Sequence, residues 1–165
     1  MTSNRRLSPH FTLGEMCRSA AAERAGISNA PPVEAIHALE LLCVEVLEPL
    51  RLLLGRPIVV SSGYRSTEVN ALARGSLTSQ HCRGEAADIE CPGVPNLALA
   101  LQIERSALSF DQLILEFHTL GVDASGWVHV SHKGHGDRRQ VLTATTDGKR
   151  TVYQPGLPAM QLPPR

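Results

Sequence analysis

Ser61-Ser62-Gly63-Tyr64-Arg65-Ser66, followed by Ser79-Gln80-His81-Cys82-Arg83-Gly84-Glu85-Ala86-Ala87-Asp88-Ile89, is the stretch around which the chain is organised. A histidine and an aspartate stand seven positions apart, with Gly84 between them. Ala86 to Glu90 reads as a strand, so Asp88 takes one face while Ala87 and Ile89 take the other. Trp127-Val128-His129-Val130-Ser131 repeats that pattern. Val128 and Val130 claim the apolar face and turn Trp127, His129 and Ser131 the opposite way. A lone histidine beside valines is usually a packed structural residue; His81, Asp88 and His129 together are a candidate zinc site. Two imidazoles and a carboxylate supply three ligands and leave a fourth position for water.

Outward from this stretch the elements follow in order. Pro57 to Ser61 is a β-branched strand, and Ser66 or Thr67 caps a helical turn that runs to Leu72. Upstream, Ile36, Leu39, Cys43, Val46, Leu47 and Leu50 form one apolar stripe along a helix predicted from Val33 to Leu54. Pro31 and Pro32 suit its first turn, and Gly55 and Pro57 stop it. A shorter helix over Ser19–Ala25 ends at Gly26. Downstream, a helix over 96–108 precedes strands at 110–117, 127–132, 140–145 and 151–153, the last two turning at Asp147-Gly148. Helices first, then strands with interleaved helices, predict a small single α+β domain with a mostly antiparallel sheet. Residues 1–8 are expected to be a flexible terminus, 9–153 the domain, and the proline-rich 154–165 a free tail.

Composition narrows the function classes. The 16 basic and 16 acidic residues balance, so no net field draws the chain onto nucleic acid or an anionic membrane. The basic amino terminus has no apolar run behind it and no stretch is long enough to span a bilayer, so synthesis as a soluble cytoplasmic protein without a signal peptide is expected. Nothing in the pattern sets an oligomeric state beyond a monomer.

Ser-Gly-Tyr-Arg-Ser, then Ser-x-His-x-x-Gly-x-Ala-x-Asp, then Trp-Val-His-Val-Ser resembles the zinc D-Ala-D-Ala carboxypeptidase family, and within it the phage-associated and murein-endopeptidase branch. The resemblance covers residues 9 to 145. It implies a hedgehog/DD-peptidase-like fold, Zn2+ held by His81, Asp88 and His129, and a substrate drawn from the stem or cross-bridge peptides of peptidoglycan. It also implies that Arg65 lies beside the substrate carbonyl, where its planar fork suits an oxyanion or a terminal carboxylate. Gln80, next to the ligand His81, and Trp127 are candidates for substrate binding.

The chain departs from that family at one place. Several members carry an acidic residue three positions before the third ligand, and here Gly126 stands there. Glu116, on the face shared with Gln112 and Ile114, is the first candidate for the general base, and Asp123 in the turn before Trp127 is the second. Cys82 and Cys91 are expected to be neither ligands nor a disulfide, since three ligands are present already and a cytoplasm keeps thiols reduced. His132 falls on the strand face opposite His129 and stays outside the ligand set. The expected activity is zinc-dependent hydrolysis of peptidoglycan peptide bonds, endopeptidase rather than D,D-carboxypeptidase, in phage-related lysis or wall penetration. The rival is a zinc-binding structural protein of a phage particle that has lost turnover.

Overall fold

The computed structural model describes residues 4–159. Its helices are α1 (Leu13–Met16), α2 (Ala20–Ala25), α3 (Val33–Leu42), α4 (Glu48–Leu54), α5 (Thr67–Leu72) and α6 (Asn96–Arg105). The strands are β1 (Val59–Ser62), β2 (Ala86–Glu90), β3 (Gln112–Glu116), β4 (Trp127–Ser131), β5 (Gln140–Thr146) and β6 (Thr151–Pro155). They form one sheet in the order β1-β2-β4-β3-β5-β6. Every pairing is antiparallel except β3 with β5, which run parallel. The fold is therefore the α+β class with a mostly antiparallel sheet.

Strand alternation assigns the two faces. Val60, Ala87, Ile89, Leu113, Leu115, Val128 and Val130 join Leu39, Leu42, Val46, Leu47, Leu50 and the α6 residues Leu97, Leu99 and Ile103 in one core. The helices cover that face. The opposite face carries Asp88, His129, Ile114, Glu116, Leu142 and Tyr153 along a cleft.

The predicted single helix from Val33 to Leu54 is interrupted by a π-helical turn at Cys43–Leu47, where the Glu48 N–H reaches the Cys43 carbonyl. Pro49 follows directly. A proline inside a helix donates no hydrogen bond and its ring crowds the carbonyl four residues back, so a widened turn at that point accommodates it. The stripe survives: Cys43, Val46 and Leu47 are all buried.

Both expected loose ends need correction within the described residues. Leu7 is buried, the Leu13 N–H donates to the Arg5 carbonyl, and the Ser8 hydroxyl donates to Glu48. Leu7 is an apolar side chain that gains by leaving water, and it pulls residues 4–8 onto the domain. At the other end β6 extends to Pro155, the Gly156 N–H donates to the Val141 carbonyl, and Leu157 packs against the core. Pro155 is compatible because β6 is an edge strand, where a missing donor costs nothing. Residues 1–3 and 160–165 lie outside the described part. Among the described residues no helix is long and apolar enough to cross a membrane.

Candidate metal centre

His81 is placed by a short 3-10 turn, Gln80–Arg83, that ends at Gly84 with φ +74°. A Cβ on Gly84 would stand 2.3 Å from the Ala35 carbonyl oxygen, so only glycine lets this turn rest on α3. The chain then enters β2, whose register sets Asp88 opposite His129 on β4. A bulge in β1 does the rest: Val60 pairs with Ile89, and the next pair is Ser62 with Asp88.

The three side chains converge. His81 Nε2 lies 3.1 Å from Asp88 Oδ1 and 3.2 Å from His129 Nδ1, and His129 Nδ1 lies 3.0 Å from Asp88 Oδ1. All three residues are buried. His81 Nδ1 stands 2.6 Å from the Gly63 carbonyl, which accepts only, so Nδ1 carries the proton and Nε2 presents its lone pair to the cluster. Ligand atoms roughly 2.0–2.2 Å from a tetrahedral zinc lie roughly 3.3–3.6 Å from one another. The observed separations are just inside that, and two imidazole nitrogens with one carboxylate oxygen are a donor set that zinc accepts. The residues present fit the ion.

Asp88 uses both oxygens. Oδ1 faces the imidazoles, while Oδ2 accepts from Arg65 Nη2. Burial works against its charge, but His81 and His129 outweigh it and hold the carboxyl well below the usual range. Arg65 is itself held by Ser62, whose hydroxyl accepts from Nε at 2.7 Å. Arg65 therefore orients the Asp88 carboxylate, and it also lines the cleft. No hydrogen bond from Arg65 Nη1 exists among the described residues, which leaves donors free for a substrate oxygen.

Glu116 is on the same face, with Oε1 4.0 Å from His129 Nδ1. Burial first, then the Asp88 charge, pushes its carboxyl up to about 7, against the opposing pull of His129 and Arg65. Gly126 explains why no acid stands there. It has φ +66°, and an added Cβ would lie 1.9 Å from the Glu116 carbonyl oxygen. Position 126 is filled by the end of β3, and β3 supplies the carboxylate to the cleft instead. Asp123 does not line the cleft; its backbone carbonyl accepts from the Asn96 N–H.

Gln80 and Trp127 both line the cleft. Gln80 is buried and donates from Nε2 to Glu85 at 3.2 Å. The Trp127 ring tilts against Phe117 with centroids 5.3 Å apart, and its Nε1–H has no partner. Cys82 and Cys91 are free thiols outside the cluster. His132 is turned away, between Asp137 at 2.6 Å and Glu45 at 2.9 Å. Sequence reasoning missed two contributors, the Gly63 carbonyl and Ser62. The first acts through its backbone and the second through a bulge, so neither leaves a signal at its own position.

The cleft is about 1010 Å³, at the upper end of the range for ligand sites. It runs across the strands, from the Arg74–Thr78 loop past the cluster to Leu142, Thr151 and Tyr153. No curated protein is similar enough to the chain to count as a match. The family model described as Peptidase M15 matches residues 9–131, which include all three cluster residues, Arg65 and Glu116. Over that span the chain belongs to the peptidase M15 family, a family of zinc-dependent metallopeptidases.

Proposed function

We propose that the chain is a zinc endopeptidase that hydrolyses a peptide bond in the stem or cross-bridge peptides of bacterial peptidoglycan. The observation that carries this reading is the position of the cluster part-way along the cleft. Arg74, Ser76 and Thr78 line one side, and Leu142, Thr151 and Tyr153 line the other. A substrate that continues in both directions needs such a groove, whereas a carboxypeptidase needs a wall that grips a terminal carboxylate.

His81 Nε2, Asp88 Oδ1 and His129 Nδ1 would hold the ion, which when bound supplies Lewis acidity toward a carbonyl and toward water. Glu116 takes the proton of the attacking water and returns it to the departing amine nitrogen. Its burial suits the task, because a raised carboxyl both accepts and releases a proton near neutral pH. Arg65 holds Asp88 in place with one nitrogen and turns its remaining donors to the substrate carbonyl oxygen, where negative charge develops. Gln80 and Trp127 border the peptide. The biological setting we propose is phage-related lysis or wall penetration, with the protein acting as a monomer.

The test is the turbidity of purified murein incubated with the protein, with and without a chelator. Clearing that stops with the chelator and returns with added zinc supports the reading. Murein that stays turbid with the zinc-loaded protein favours the structural phage component, for which the missing acid at position 126 is the supporting feature.

A further inference from the structure

We propose that Tyr153 is a substrate-binding residue of this cleft, its hydroxyl donating to the peptide backbone held over Glu116. The inference rests on the peptidase reading and adds a wall to its site from residues beyond the family match, which ends at residue 131.

Glu116 on β3 pairs with Ala144 on β5, and Ala144 pairs with Tyr153 on β6. Residues in register across neighbouring strands point to the same face, so the three form a row on the cleft side. Neighbouring strands lie about 4.8 Å apart, which sets the outer two roughly 10 Å apart at the backbone. The middle residue, Ala144, is fully buried, while Glu116 and Tyr153 on either side of it both line the cleft, a carboxylate on one strand and an aromatic ring on the other.

Tyr153 behaves as a group awaiting a partner. It lines the cleft, yet 54% of it is exposed, so packing gives it little reason to be aromatic. Its hydroxyl makes no hydrogen bond among the described residues. Burial, and then the Glu116 charge, raises its pKa, so at neutral pH the phenol stays a hydrogen-bond donor. A peptide backbone offers the complementary carbonyl acceptors, and the ring supplies a flat apolar surface for the neighbouring side chain. Leu142 and Thr151 continue the same wall. The β5–β6 hairpin is thus the part of the molecule that holds the substrate on the side of Glu116 away from Arg65.

Trp127 is the only tryptophan of the chain and lines the cleft, so its fluorescence reports occupancy there. The experiment titrates a soluble cross-linked muropeptide dimer into the metal-free protein, read by that fluorescence, and follows dimer cleavage by the zinc-loaded protein. Parent, Tyr153→Phe, Tyr153→Ala and Gln154→Ala are compared, Gln154 being the adjacent exposed residue of the same strand. Tyr153→Phe keeps the ring and removes one donor, so binding should weaken about five- to tenfold, with KM rising in step. Tyr153→Ala should weaken it further, and Gln154→Ala should match the parent. If the parent binds and cleaves the dimer while both Tyr153 variants stay within twofold of it, this inference is wrong and the peptidase reading stands. A parent that neither binds nor cleaves the dimer overturns both.

Discussion

Replacing Gly126 by alanine should unfold this protein at a markedly lower temperature, and two separable effects set the size. Gly126 has φ +66°, a conformation that costs an L-residue about 1–2 kcal/mol. The new Cβ would also stand 1.9 Å from the Glu116 carbonyl oxygen and 2.8 Å from the His118 nitrogen. Those are backbone atoms at the end of β3, so the strand must retreat by more than an ångström; forced overpacking of this kind costs about 1–3 kcal/mol. The total is about 2–5 kcal/mol, or roughly 4–20 °C in Tm for a domain of this size. Gly136→Ala isolates the first effect, because Gly136 has the same φ of +66° and nothing within 4 Å of an added Cβ. It should lose only the conformational part. Calorimetry of both variants reads the difference directly. Because the strand that moves carries Glu116, Gly126→Ala should also lose turnover, while Gly136→Ala should keep it. Equal Tm losses in the two variants would refute the steric argument, and with it the explanation for the missing acid at position 126.

Three further outcomes follow from the site and its surroundings. Glu116→Gln should fold and retain metal while losing about a hundredfold or more in kcat; the acidic limb of the parent's kcat/KM profile, where activity rises as Glu116 deprotonates, should vanish in the variant. Metal analysis should find one zinc per parent chain, none in a His81→Ala/His129→Ala double variant, and full occupancy in Cys82→Ser and Cys91→Ser. Asp111 is buried between Arg138 and Lys133, which overcome the effect of burial and hold its carboxyl well below the usual range. Its folded pKa is depressed, so the stability it contributes is fully present above the unfolded value of about 3.9 and fades as pH falls below it. Asp111→Asn should therefore cost about 2–3 kcal/mol by denaturant unfolding at pH 7 and progressively less below about pH 4.

What the sequence makes legible here is what period and local chemistry determine. The alternation in Ala86–Glu90 and Trp127–Ser131 is enough to put Asp88 and His129 on the face away from the valines, and the structure has them there. Ser19, Ser66 and Gly26 cap their helices as their residue types direct. Harder to read were features that depend on distant partners. Nothing within 140–146 says that this strand runs parallel to β3, so the place of Leu142 and Tyr153 beside the cleft has no local signal. The Arg65 contact with Asp88 depends on a bulge between Val60 and Ser62, which no residue type announces. Leu7 and Leu157 looked like parts of loose ends because the residues around them are polar or proline-rich, yet each finds apolar surface to cover. Pro49 was readable, and its place inside an apolar stripe marks where the long helix widens.

In the proposed reaction His81, Asp88 and His129 would hold a zinc ion at which Glu116 promotes hydrolysis of a peptide bond inside a peptidoglycan cross-link. Mass spectrometry of a purified muropeptide dimer after incubation with the zinc-loaded protein tests it most directly. The account predicts two monomer fragments that together gain one water, cut at a single peptide bond, with no such products from the chelator-treated protein or from Glu116→Gln. Intact dimer after incubation with the zinc-loaded parent, or equal cleavage by parent and Glu116→Gln, would contradict it.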